Sequence, residues 1–356
     1  MADPTLTRVI RSWEPRFLAN GVDPNDYRRT VDPLETWDEW YGAWMALGDR
    51  HEGLAREAAR EDRPITAGEA YYRAALAYHF AAFCWVERLD EYDAGHRKRV
   101  ECYGKALPYL DPPGERVEFP LERARIPAYL RKPRNATRPP VVLFLSGLDS
   151  AKEEHASFEA FFLRRGVATL TLDGPGQGET WYQMKMRADF EITATAAIDY
   201  LLSRRDVDGT RVGICGVSLG GYLAPRCAAF EPRLRAVASC GGLHSLEERP
   251  LHEGIHLARW LHIWGGARLR RPAGPKPRGD ARRGCPQHHR PCTGSGTPSS
   301  RPRTPTGRTS GPAGRSGGSP TPRAITSATT SSTGTGRSSP TSWPSTCAEV
   351  RCRRPR

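Results

Sequence analysis

Residues 211–222 read Arg-Val-Gly-Ile-Cys-Gly-Val-Ser-Leu-Gly-Gly-Tyr, and the glycine spacing in that run carries the strongest structural signal in the chain. Small and apolar residues form a buried strand, after which Gly216-x-Ser218-x-Gly220 turns sharply into a helix. A serine on a strained strand-to-helix turn needs glycines two residues away on either side, because a side chain there collides with neighbouring backbone. The turn lifts the Ser218 hydroxyl above the sheet. It leaves the Leu219 N–H, at a helix N-terminus, free to bind an oxyanion, and Gly221 continues the small-residue start of that helix. The expected chemistry is nucleophilic attack by Ser218, with a tight turn of no chemical role as the plain alternative.

On the N-terminal side, residues 1–110 read as helices. Trp37, Trp40 and Trp44 share one helical face, which Leu47 continues, a pattern that suits packing better than ligand binding. Thr66 and Glu69 suggest a capping box opening a helix over 66–87. Its apolar residues nearly encircle it, so it is expected to be buried, with His79 as a core histidine. Asp111-Pro112-Pro113-Gly114 ends the helical region. From Arg116 the period changes to strands: Val117–Phe119 and Ala124–Leu130 as a hairpin, then Pro139–Leu145, Val167–Leu172, Val212–Cys215 and Leu234–Ser239. Helices are expected near 153–165 and 188–204. This alternation predicts an α/β doubly wound sheet with Ser218 after the fifth strand.

The third strand ends in Ser146-Gly147-Leu148-Asp149-Ser150. In this architecture that loop supplies a second oxyanion N–H; Gly147 permits close approach, and Leu148 is the expected donor. The fourth strand ends in Asp173-Gly174-Pro175-Gly176-Gln177-Gly178. It lacks the features of a P-loop or a dinucleotide fingerprint, so a structural turn braced by Asp173 is expected. The three runs, with Ala151-Lys152-Glu153-Glu154, Glu179 and Ala224-Pro225-Arg226, resemble one α/β-hydrolase family with an N-terminal helical domain. That family contains the 2,6-dihydroxypseudooxynicotine hydrolases and the fermentation–respiration-switch esterases. The resemblance covers roughly residues 30–264. It implies a Ser-Asp-His triad, no cofactor, no metal, and a site roofed by the helical domain and the segment after strand six. Asp149, Glu247 and Glu248 are candidate pocket residues. The resemblance also implies a small-molecule substrate, either an ester or a carbon–carbon bond beside a ketone.

A triad on this fold needs an acid and then a histidine further along the chain. Residues 265–356 do not offer the strands that would carry them. They are Arg, Gly, Pro, Ser and Thr with few aliphatic side chains, a composition that cannot bury enough surface to offset ordering entropy. Asp280, His288 and His289 lie there without supporting pattern, and the Cys285–Cys292 run is a poor zinc site. The expected organisation is a helical domain over 1–113, an incomplete hydrolase core over 114–264 lacking strands seven and eight, and a disordered basic tail over 265–356. The tail reads as a GC-rich gene translated out of frame. Back-translated and shifted by two bases, 324–354 permits an amphipathic helix preceded by an Asp-His loop, and 291–297 permits a strand end followed by an acidic loop. Residues 276–290 fit a one-base shift, so two indels are required.

The net charge of +13 belongs to that tail, where 18 Lys and Arg face only Asp280 and Glu349; residues 1–264 hold 35 basic and 38 acidic groups. A nucleic-acid partner is therefore not expected for the body of the protein. Cys84, Cys102, Cys215, Cys227 and Cys240 sit in apolar settings typical of buried thiols. With no signal peptide and no membrane-spanning run, a cytoplasmic protein is expected, with homodimerisation left open. Two function classes stand. The first is a serine hydrolase by descent, poorly soluble and nearly inactive as written because its acid and base are absent. The second is a non-enzymatic α/β scaffold whose basic tail binds RNA or another polyanion, an option weakened by Trp343 being the tail's only aromatic.

Overall fold

A computed structural model describes residues 3–83, 85, 86, 88–245 and 254–265. The helical segment opens with α1 (Pro4–Ala19), α2 (Pro24–Val31), α3 (Asp38–Arg60), α4 (Pro64–Ala82) and α5 (Leu89–Ala106). The tryptophan face of α3 does pack: Trp40 and Trp44 are buried against Phe17 of α1 and Phe80 of α4. Trp40 Nε1 donates to the Phe80 carbonyl at 2.9 Å, which satisfies the one polar atom it brings into the core. α4 is buried on nearly all sides, as its sequence predicts. Its start is corrected. The helix begins at Pro64, not at a Thr66 cap, and Arg63 before it makes no side-chain cap. Pro64 supplies the reason: its fixed φ suits the first helical position, where a missing N–H costs nothing.

After α5 a 3-10 turn, Leu107–Tyr109, leads into β1 (Gly114–Leu121) and β2 (Ala124–Arg131), a hairpin as predicted. Then come β3 (Pro140–Leu145), a 3-10 turn at Lys152–His155, α6 (Ala156–Leu163) and β4 (Ala168–Leu172). A 3-10 turn at Gly178–Tyr182 precedes α7 (Glu191–Ser203), β5 (Asp208–Val217), α8 (Leu219–Phe230), β6 (Leu234–Cys240) and α9 (Gly254–Ile263). The sheet order is β1-β2-β4-β3-β5-β6. β3 to β6 run parallel, and β2 joins β4 antiparallel.

β3 is apolar throughout because both of its faces are covered. Val141, Leu143 and Leu145 face the core shared with α7 and α8. Val142 and Phe144 face the cluster that includes Phe158 and Phe162 of the α6 side. From β3 the chain goes to β4 on one side and then crosses back to form β5 on the other. This is the switch point at which α/β sheets open a crevice at their C-terminal strand ends. Among the described residues β6 pairs only with β5 and is an edge, with Arg235, Ala236, Ala238 and Ser239 exposed. Cys102, Cys215 and Cys227 are buried and in no disulfide among the described residues, Cys240 is half-buried, and Cys84 lies outside the described residues. Among the described residues no helix is long and apolar enough to cross a membrane. The tail beyond Gly265 also lies outside the description.

Candidate active site

Three loops meet at the C-terminal ends of β3, β4 and β5. In the last of them Ser218 has φ +56° and ψ −116°, a conformation that few non-glycine residues adopt and that costs about 1–3 kcal/mol. The glycines around it are forced by contact. A β-carbon on Gly216 would stand 2.0 Å from the Gly220 carbonyl oxygen, and one on Gly220 would stand 2.2 Å from that of Leu145. A β-carbon on Gly221 would press against Gly242. The turn is pinned to the edge strand by Ser218 N–H donating to the Cys240 carbonyl at 2.9 Å. Ser218 itself is exposed, and Leu219 opens α8 directly behind it. Among the described residues the Ser218 hydroxyl has no histidine beside it in hydrogen-bond contact.

The loop after β3 comes close to this turn. A β-carbon on Gly147 would lie 3.3 Å from the Ser218 β-carbon. Its carbonyls are held from the far side. Gln177 Nε2 donates to Ser146 O at 2.9 Å and to Gly147 O at 3.2 Å, and Arg259 Nε donates to Leu148 O at 3.2 Å. In a trans peptide the N–H points opposite to the preceding C=O. Clamping Gly147 O therefore turns the Leu148 N–H away from Gln177, which orients a donor within the loop. Gln177 is itself oriented by the Gly174 N–H, which donates to its Oε1 at 3.3 Å.

Asp173 braces its turn as expected. It is fully buried and accepts from Lys152 N at 3.0 Å and Glu179 N at 3.1 Å. Gly178 has to be glycine there, since a β-carbon would lie 2.0 Å from Asp173 Oδ2. The Glu153, Asp173 and Glu179 carboxylates lie close enough together to ligate a cation. Lys152 Nζ already bridges all three, at 2.7, 2.8 and 2.6 Å. Burial pulls the Lys152 ammonium down, but Asp173 and Glu153 outweigh that and hold it well above its ordinary value. A charged ammonium in this position leaves no vacancy for a metal ion.

A second buried cluster joins the helices to the loop after β3. Glu154 accepts from Arg16 at 2.8 and 2.9 Å and from Asn20 at 2.7 Å, and it pairs with His79 at 3.0 Å. Asp149 pairs with Arg16 Nη1 at 2.8 Å, so it is turned towards α1. Burial lowers the His79 imidazole more than Glu154 raises it, which keeps His79 neutral. It is a core histidine, but one tied across to the sheet. His155 Nε2 lies 3.0 Å from Ser146 Oγ and 3.2 Å from Ser150 Oγ, bracing the same loop. Glu247 and Glu248 lie outside the described residues. Sequence reasoning missed Arg16, Gln177 and Arg259 as loop holders. Gln177 stood inside a run whose glycines drew the attention, and the two arginines carry no local signal because their partners are more than 100 residues away.

Comparison with known proteins identifies the family and the fold. A family model described as esterase FrsA-like matches residues 35–249. The 2,6-dihydropseudooxynicotine hydrolase of Paenarthrobacter nicotinovorans is 35% identical over 249 residues, 70% of this chain and 67% of that protein. A crystal structure of 2,6-dihydroxy-pseudo-oxynicotine hydrolase superposes with a TM-score of 0.65 over 70% of each chain, at 35% identity. Hydrolyase poxO of Penicillium oxalicum is 34% identical over 218 residues, 57% of this chain and about half, 51%, of its own length.

Proposed function

This chain belongs to the FrsA-like esterase family and is an α/β hydrolase by descent; from that premise we propose that Ser218 is its nucleophile. The observation that carries the reading is the strained Ser218 conformation between two glycines that tolerate no β-carbon. Strain of that kind persists where the surroundings over-determine it, and an exposed serine is a use for it. Ser218 Oγ attacks the carbonyl carbon of an ester, or of a ketone whose neighbouring carbon–carbon bond breaks. The Leu219 N–H and the Leu148 N–H then receive the oxyanion. Gln177 acts through Leu148 as a positioning residue.

A serine hydroxyl is a weak nucleophile until a base takes its proton, and loss of one triad member typically removes about 10⁴-fold or more in rate. We therefore propose that the chain as written turns over negligibly, and that the missing acid and base are encoded in the shifted frame of the DNA for residues 265–356. Resequencing that DNA tests the second point directly. The first is tested with a fluorophosphonate probe and mass spectrometry. The expected result is a slow, stoichiometric adduct on Ser218 that the Ser218→Ala variant does not form. An adduct elsewhere, or none, removes the nucleophile assignment. Brisk hydrolysis of 4-nitrophenyl acetate by the purified chain removes the inactivity assignment.

A further inference from the structure

The buried arginines of this protein differ in one respect. Arg99 and Arg131 are each 2% exposed, and each faces a carboxylate, Glu153 at 3.1 Å and Glu159 at 3.0 Å. Arg259 is 3% exposed, and among the described residues no carboxylate pairs with it. Its Nε donates to Leu148 O, but among the described residues its buried Nη1 has no hydrogen-bond partner. The guanidinium carbon lies 5.1 Å from the centre of the Tyr92 ring, a weaker counterpart than an anion. Removing a charge from water without a partner costs several kcal/mol. A folded protein that keeps such a group has a use for it.

His262, three residues on and therefore on the same face of α9, repeats the pattern. Its Nε2 is buried and has no partner among the described residues. Burial, with Arg259 and Lys185 nearby, pushes its imidazole down to about 3, so it is neutral at ordinary pH. The ring stacks on Trp181 at 4.2 Å and meets Tyr92 edge-on at 5.0 Å. A cation and a neutral polar nitrogen without partners thus lie together beside aromatic rings. They sit over the loop that also holds the oxyanion donor. Leu148, whose carbonyl Arg259 grips, is next to Gly147, and Gly147 packs against Ser218. α9 is a short helix resting on loops through Met186 N–H to Ile263 O at 2.9 Å and Trp181 Nε1 to His262 O at 2.7 Å.

We propose that Arg259 is the specificity-determining residue of an anion subsite under α9, which selects substrates carrying an anionic oxygen group such as a carboxylate or phenolate on an aromatic ring. The proposal rests on the active-site reading for its location and not for its chemistry. The anion accepts from Nη1, replaces the missing carboxylate partner and lies against Tyr92 and Trp181.

The test is calorimetric binding of benzoate and of its neutral counterpart benzamide to the full chain and to the Arg259→Gln and Arg259→Lys variants. A charge-assisted hydrogen bond is expected to favour benzoate by about tenfold or more in the parent. The preference should persist in Arg259→Lys and shrink to about twofold or less in Arg259→Gln, which keeps the hydrogen-bonding length but not the charge. Thermal unfolding confirms that each variant is folded. Equal affinity for the two probes in the parent overturns the proposal, as does a benzoate preference that survives in Arg259→Gln. Fluorophosphonate labelling run alongside separates the two readings. Benzoate preference without labelling keeps the subsite and loses the nucleophile; labelling without preference does the reverse.

Discussion

Gly216 shows why the serine turn could be read from sequence while its supports could not. A β-carbon there meets the Gly220 carbonyl oxygen at 2.0 Å, so the constraint acts between residues four apart and leaves a local signature. Gly216→Ala is expected to destabilise the protein by about 3 kcal/mol or more, since a backbone atom cannot yield as a flexible side chain can. Urea unfolding measures this, and an unchanged midpoint would contradict the geometry. Gln177, Arg16 and Arg259 act over much longer separations. Nothing in the residues adjoining them says which carbonyl or carboxylate they will meet. Leu148 could be proposed as an oxyanion donor from its place after a strand, but the Gln177 and Arg259 contacts to its loop could not. Lys152, Glu153 and Glu154 entered the sequence reading only as part of the family resemblance, and nothing local marks all three as buried. Burial of that kind follows only once the tertiary partners are known.

At the scale of elements, the strands along the chain were legible because their apolar runs are bounded by glycine and proline, whereas their order in the sheet was not read from them. Helix starts were less so, as Pro64 shows by taking the place assigned to Thr66. The two signals compete within three residues, and the proline acts first. The sequence reading ends the sheet at strand six, which would leave β6 at an edge. Ala236 and Ala238 are exposed on it, and among the described residues no strand pairs with its outer side. Unpaired N–H and C=O groups beside small apolar side chains template association between molecules. Ala238→Lys is therefore expected to reduce light scattering of the concentrated protein on standing. Scattering that matches the parent would mean that association proceeds through another surface.

For the molecule as a whole, the charge buried between helices and sheet sets how stability varies with pH. Burial raises the Glu154 carboxyl, but the Arg16 charge, with a hydrogen bond from His79, outweighs it and holds it well below its ordinary value. Burial likewise opposes, and Lys152 overcomes, the shifts of Glu153 and Glu179, which end at about 2. His79, His96 and His155 are lowered chiefly by burial. All six groups have folded-state pKa values below their unfolded ones, so the folded state binds fewer protons and acid favours unfolding. Stability should be complete above about pH 7. It should decline as pH falls below the ordinary histidine value of 6.5, and again below 4.5 as the carboxylates titrate towards 2. Urea midpoints measured from pH 8 to pH 4 check this, and a flat profile would show that the cluster does not govern stability.

The same seam limits how the protein can be recombined. Arg16, His79 and Arg99 come from the helices, whereas Asp149, Glu153 and Glu154 come from the loop after β3. A hydrophobic seam forgives exchange, because one apolar side chain can stand in for another. A seam of matched charges does not: a chimera that grafts these helices onto a foreign sheet strands each ion without its counterpart. The helices and the loop form one electrostatic unit, and any transplant that succeeds has to carry both sides of every pair.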